Sequence, residues 1–281
     1  MKLLRVGEPG RERPAALDAS GKARDLSAHV ADIDGHALGD SSLATLRALN
    51  LESLPLVPAG SRIGPCVTGV GKFICIGLNY SDHAAESGMP IPEEPIVFLK
   101  ASNTVVGPYD DVLIPRGSKK TDWEVELGVI IGREARYLTP SDDASEYIAG
   151  YAISHDVSER AFQLEHGGQW TKGKSCDTFN PLGPWLSTPD EISDPDSLQM
   201  RLWVNGVQRQ HGNTATMIFS AATLVHYLSQ FMTLQPGDLI STGTPPGVGL
   251  GMKPPQYLSS GDIVELEIEH LGRQRQRFVP A

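Results

Sequence analysis

The sequence predicts a mixed α/β fold rich in strands, and three observations carry that expectation. Short apolar runs, such as Phe73-Ile74-Cys75-Ile76, Ile96-Val97-Phe98-Leu99 and Leu202-Trp203-Val204, stand between turns containing Gly and Pro, as strands do between breakers. Asn205-Gly206 then joins Val204 to Val207, the strongest short hairpin signal. Helical spacing is confined to a few segments that do not alternate with the strands, which argues against a regular βαβ array.

In chain order, residues 1–68 read as a small leading domain. Leu3 to Val6 suggests a short strand, and a helix follows Asp40. There Asp40 or Ser41 can cap, and Leu43, Leu46 and Leu49 repeat at helical spacing. Pro55, Pro58, Gly60, Gly64 and Pro65 punctuate a linker into a larger domain over 69–281. Within it, Trp123 to Ile131 has apolar residues at every odd position, the period of a strand. Pro140 at a first-turn position predicts a helix from Thr139 to about Ile148, and another helix is expected to begin near Val157-Ser158-Glu159-Arg160. The clearest helix spans about Phe219 to Met232, with Ala221, Leu224, Val225, Leu228 and Phe231 on one face. Pro236-Gly237-Asp238 and Ser260-Gly261-Asp262 each read as a turn launching a strand.

At 281 residues, a chain buries about 70–75% of its unfolded surface, so its core needs no staples. Three cysteines, Cys66, Cys75 and Cys176, form no CxxC pair, which fits reduced thiols packed as small hydrophobes. A formal charge of −10 argues against nucleic acid and anionic membranes as partners. The opening residues lack the apolar stretch of a signal peptide and no run approaches membrane-spanning length. The expectation is a soluble, cytoplasmic protein. Gly69-Val70-Gly71-Lys72 lacks the spacing of a phosphate loop, and Pro254-Pro255 follow Gly247-Val248-Gly249-Leu250-Gly251 where a dinucleotide site needs a helix. There is no GxSxG elbow.

The chemistry lies in acids. Glu124 and Glu126 project from the same face of their strand, where two like charges raise each other's pKa unless a cation separates them. Taken alone, they also suit the solvated face of an amphipathic strand. Asp156 ends the apolar run Gly150 to His155, either capping the next helix or completing a set of three carboxylates. Such an all-oxygen set favours Mg²⁺, Mn²⁺ or Ca²⁺ over zinc. Arg160 and Gln163 stand at i, i+3, and Lys174 lies in a polar stretch that would otherwise be a surface loop. His83 and Glu86 are also at i, i+3, the arrangement of an imidazole held by a carboxylate for general-base work. Ser241 to Gly247 ends a strand in a Gly/Pro loop that can offer hydroxyl and N–H groups to a carboxylate.

Together these stretches resemble the fumarylacetoacetate hydrolase family. The matching segments are GLNYSDHAAE (77–86), DWEVELGVIIG (122–132), GYAISHDVSER (150–160), KGKSCDTFNPLGPW (172–185), VNG (204–206) and STGTPPGVG (241–249). The resemblance implies a β-sandwich roll catalytic domain behind a small N-terminal domain, assembled as a homodimer. It implies that Glu124, Glu126 and Asp156 bind Mg²⁺ or Mn²⁺, and that His83 and Glu86 activate water. Arg160, Gln163 and Lys174 would contact substrate oxygens, Lys174 as a catalytic group, and Thr244 would join them from the Gly-Thr loop. Cys176 departs from the phenylalanine of many members, and the fourth carboxylate of larger members has no counterpart; Asp82, though near, is left out of the metal set.

The expected reaction is metal-dependent hydrolysis of a C–C bond in a small, anionic 2,4-diketo acid of the acylpyruvate type, through a pyruvate enolate. The alternative is a decarboxylase, isomerase or lyase of the same fold, of the oxaloacetate decarboxylase, 2-hydroxyhepta-2,4-diene-1,7-dioate isomerase or ureidoglycolate lyase type. A non-catalytic keto-acid binder is a third reading. Residues 86–95 and 164–172 are the loops expected to shape the pocket.

Overall fold

The computed structural model describes residues 1–281, the side chain of Ser87 excepted. The chain is mixed α/β and strand-rich. Its strands are β1 (Lys2–Val6), β2 (Arg13–Leu17), β3 (Ala23–Asp25), β4 (Phe73–Gly77), β5 (Ile96–Lys100), β6 (Val105–Val106), β7 (Val112–Ile114), β8 (Thr121–Asp122) and β9 (Val125–Ile131). There follow β10 (Ile148–His155), β11 (Ser158–Glu159), β12 (Asn180–Ser187), β13 (Gln199–Val204), β14 (Val207–Asn213), β15 (Leu239–Ser241), β16 (Ile263–Ile268) and β17 (Gly272–Pro280). The α-helices are α1 (Asp40–Arg47), α2 (Ser81–Ser87), α3 (Trp170–Lys174) and α4 (Ala221–Ser229).

The larger sheet runs β3-β2-β1-β12-β10-β9-β15-β4-β5, with β6 beside β12, and the smaller runs β14-β13-β16-β17-β7. One core lies between them. Val125, Leu127 and Val129 of β9 meet Met200 and Leu202 of β13 and Val264 and Leu266 of β16 there. The odd positions of β9 thus point into the sandwich, as period-2 alternation requires. A second core covers the opposite face, where Ile130, Ala149 and Ala152 pack against Leu26, Ile33, Leu38, Leu43 and Leu46 of the leading segment. Every residue of β9 is therefore buried, so its even face is no solvated surface. The leading segment also joins the larger sheet directly, with Leu3 of β1 paired to Leu186 of β12.

Several local expectations hold. Asn205 and Gly206 turn the β13–β14 hairpin with φ of 51° and 76°, the left-handed pair that a tight hairpin turn needs. Strands β15 and β16 follow the two Gly-Asp turns. Others need correction. Instead of a helix over 139–148 there is a turn, in which the Thr139 N–H and hydroxyl donate to Asp142, followed by one 3₁₀ turn at Ala144–Tyr147. The side-chain bonds compete with helical ones. Past Asp156 the chain does not begin a helix at Val157: β11 pairs with β8 first, and a single π turn, Ala161–Glu165, follows. Neither Asp40 nor Ser41 caps α1, which starts after Gly39; Asp40 instead pairs with Arg133 at 2.5 Å. Helix α4 is capped by Ser220 and ends at Ser229, leaving Phe231 exposed rather than on its buried face.

Removing the Leu266 side chain by Leu266→Ala empties a fully buried site between the sheets. The expected loss is about 2–5 kcal/mol in a urea unfolding titration, with the slope unchanged.

Candidate active site

Strands β9 and β10 are antiparallel, with Ser154 opposite Glu126 and His155 opposite Val125. One step further the Asp156 N–H donates to the Glu124 carbonyl at 3.0 Å, so Asp156 is the cross-strand neighbour of Glu124. Directly opposed residues bring their Cβ atoms to about 5 Å. The result is that Glu124, Glu126 and Asp156, all buried, each offer one oxygen within 4.8 Å of the others.

Cations from three other elements meet this cluster. Lys174, at the end of α3, donates to Glu124 Oε2 and Asp156 Oδ2, both at 2.6 Å. Arg160 donates from Nη2 to Glu124 Oε1 at 2.6 Å, from Nε to Asp122 Oδ2 at 2.8 Å and from Nη1 to Gln163 Oε1 at 3.0 Å. The i, i+3 pairing of Arg160 with Gln163 survives the loss of the expected helix. Lys100 of β5 donates to Asp156 and, at 2.7 Å, to the Phe179 carbonyl. It is buried completely.

The carboxylates respond differently. Burial pushes Glu124 up, but Lys174 and Arg160 outweigh it and hold the group far below the ordinary carboxylate range. Glu126 is pushed well above that range by burial, then by Asp156 and Glu124. The Gly243 N–H, donating at 2.9 Å, offsets this only weakly. Four buried carboxylates (Asp122, Glu124, Glu126, Asp156) thus face three cations (Lys100, Arg160, Lys174). An uncompensated buried charge is costly, so one carboxylate must keep its proton or meet a further cation, and an oxygen-only donor set of this kind fits a hard divalent ion.

His83 and Glu86 stand on α2, with Nδ1 and Oε2 3.2 Å apart. The Gly247 N–H, at 3.2 Å, donates to the same Glu86 oxygen. His83, Glu124, Glu126, Asp156, Arg160, Gln163, Lys174 and Thr244 all line one cavity of about 300 Å³. Met89, Leu164 and Trp170 line it too, so both expected pocket loops contribute. A larger hollow of about 600 Å³ beside Asp40, Arg133 and Glu146 holds exposed ion pairs and no comparable cluster among the described residues.

The Gly-Thr loop behaves otherwise than expected. The Thr244 hydroxyl donates to the Val125 carbonyl at 2.9 Å and accepts from Gln210 Nε2 at 2.8 Å. The loop does hold a carboxylate through Gly243, but it is the protein's own Glu126. Similarly, the Gly249 and Leu250 N–H groups close on Asp122 at 2.7 and 2.9 Å. Two charged members of the cluster escaped the sequence reading. Asp122 shares the period-2 face of Glu124 and Glu126, a signal visible in the sequence. Lys100 shares a face with Ile96 and Phe98, but only its burial separates it from an ordinary surface lysine.

This constellation on a strand-rich sandwich points to a class of enzyme with a buried acidic centre whose oxygens could hold a metal ion. The family model described as fumarylacetoacetate (FAA) hydrolase C-terminal matches residues 72–279, and the chain belongs to this family. A Burkholderia multivorans (strain ATCC 17616 / 249) protein named "Putative hydrolase" is 59% identical over 98% of both chains. The solved structure of fumarylacetoacetate hydrolase from psychrophilic Exiguobacterium antarcticum superposes with a TM-score of 0.85 at 34% identity over 100% of each chain. Maleylpyruvate hydrolase from Sphingobium sp. SYK-6, solved with manganese (II) and pyruvate, gives 0.83 at 28% identity, again over 100% of each. A 2-hydroxyhepta-2,4-diene-1,7-dioate isomerase from Mycobacterium marinum gives 0.79 at 32% identity, covering 100% of this chain and 98% of that one.

Metal uptake should be linked to pH. Because the pKa of Glu126 is raised, its protonated form is favoured in the metal-free site, and a cation must displace that proton. Affinity for Mn²⁺ should therefore climb as pH rises toward the raised pKa and level off above it. Titration calorimetry in buffers of different ionisation enthalpy should detect the released proton. Lys100→Met removes one of the two buried ammonium donors to Asp156, Lys174 being the other, and one of the donors to the Phe179 carbonyl; about 1.5–3 kcal/mol of stability should disappear in denaturant melts.

Proposed function

We propose that this chain is a Mg²⁺- or Mn²⁺-dependent hydrolase that cleaves the C3–C4 bond of a small 2,4-diketo acid of the acylpyruvate type. The observation that carries the reading is the opening of His83, itself paired with Glu86, and a three-carboxylate centre into one cavity. Glu124, Glu126 and Asp156 would hold the ion. When bound, it supplies Lewis-acid stabilisation of negative charge developing on the substrate, worth several kcal/mol. The structural neighbour solved with manganese (II) and pyruvate supports this choice of ion and product.

Within that frame each residue has a task. His83, oriented by Glu86, takes a proton from water, and the remaining hydroxide oxygen bonds to C4 of the substrate. The C3–C4 electron pair then leaves with C3 as the enolate of pyruvate, which picks up a proton there, while C4 departs as a carboxylic acid. Lys174, Arg160 and Gln163 face the developing negative charge with preorganised donors. Thr244 shapes the wall beside them, its hydroxyl being engaged with Val125 and Gln210. Decarboxylation or isomerisation through the same enolate needs no attacking water, and the isomerase among the structural neighbours keeps that reading open as the second.

A homodimer is part of the proposal. Strand β5 pairs only with β4, and Val97 and Leu99 stand exposed on its outer face, an uncovered apolar edge that a second copy would protect. Buried, free Cys66 and Cys75 fit a cytoplasmic setting. Among the described residues no helix is long and apolar enough to cross a membrane.

Acylpyruvate cleavage, followed as pyruvate release with Mg²⁺ or Mn²⁺ present, should be abolished by EDTA and by Glu124→Gln. Turnover that survives chelation refutes the reading. His83→Ala should lower hydrolysis by about 10²–10⁴-fold; loss of hydrolysis with oxaloacetate decarboxylation retained would favour the second reading.

A further inference from the structure

We infer that the substrate's far end, beyond C4, is an uncharged apolar group, and that the pocket rejects a second carboxylate there. The inference rests on the keto-acid reading above. Alternation along β5 turns Ile96 and Phe98 into the cavity on the same face as Lys100. Trp170 lies four residues before Lys174 on α3, so the two share a face. Its ring meets Phe98 edge-on with centroids 5.3 Å apart. Gly77 makes room for it, since a Cβ there would fall 2.6 Å from the indole. Met89, Leu164 and Leu250 extend this wall toward the mouth.

No spare cation serves that end. Among the described residues lining the cavity, the fixed cations are Arg160 and Lys174, and both sit against the acid cluster, at the end where the keto acid is anchored rather than beyond C4. Lys100 is likewise committed to Asp156 and two carbonyl oxygens. His83 faces Glu86. The charge balance agrees. Once a divalent ion has displaced the Glu126 proton, four carboxylates against three cations and the ion leave one positive charge, which a single substrate carboxylate neutralises. A second carboxylate would sit desolvated against apolar side chains with no partner.

Calorimetric titration of the Mn²⁺-loaded protein with 2-oxohexanoate and 2-oxohexanedioate tests this. The two have equal chain length, differ at the far end alone, and lack the 4-keto group needed for cleavage. The monoacid should bind ~30-fold more tightly or better, and Ile96→Arg, which places a cation on the wall at a position 37% exposed, should shrink the gap to within ~3-fold. Equal or tighter binding of the diacid to the unmodified protein overturns the inference, as does an unchanged preference in folded Ile96→Arg. If neither acid binds, the keto-acid anchor fails with it. Discrimination without any acylpyruvate cleavage would instead reject the hydrolase reading alone.

Discussion

Placing Asp156 across an antiparallel strand pair from Glu124, with Glu126 on the same face, assembles three carboxylates in the interior. At 4.8 Å and an effective dielectric near 20, each pair of charges repels by roughly 3–4 kcal/mol. That repulsion must be met on the spot, and Lys174, Arg160 and Lys100 meet most of it. Each cation comes from a different element: Lys100 from an edge strand, Arg160 from the segment after β11, Lys174 from the end of a short helix. The charge cluster therefore ties these elements to the β9–β10 pair, and with them the pocket walls they carry.

The same constraint explains why both faces of β9 are covered. Its odd side chains fill the sandwich, while the leading segment covers Ile130 and the neighbouring alanines on the other face. Only the end of that second face, over Glu124 and Glu126, is left to the cavity. Burial there lowers the local dielectric and sharpens every charge interaction. It separates Glu124, held ionised by its cations, from Glu126, which favours its proton until a cation arrives.

The glycine-rich loops serve this electrostatic framework from behind. Gly243 donates to Glu126, Gly249 and Leu250 to Asp122, and Gly247 to Glu86. Their N–H groups are thus spent on orienting the protein's own carboxylates, which in turn aim Arg160 and His83. Family members with different reactions can share such a centre, because the acids and their cations set where charge is stabilised. On the reading proposed above, the separate His–Glu pair on α2 is what activates water. Fold and centre define the class, and on the proposed reading this pair with the apolar wall selects within it.

What the sequence determined unaided was local and periodic. The alternation through Trp123 to Ile131 dictated which side chains share a face, Asn205-Gly206 dictated the hairpin, and i, i+3 spacing dictated that His83 meets Glu86 and Arg160 meets Gln163. These depend on backbone geometry, which neighbours in the chain control. Tertiary structure alone decided whether Glu124 and Glu126 faced solvent or the interior, because that turns on Arg160, Lys174 and the Gly243 loop, 36 to 117 residues further along the chain, closing over them. It also withheld the helices expected at Thr139 and Val157, where a side-chain turn and a cross-strand pairing outcompeted weak helical propensity. Lys100 became part of the site for the same reason. A lysine ending an apolar strand is ordinary until long-range packing removes its water and leaves Asp156 as its partner.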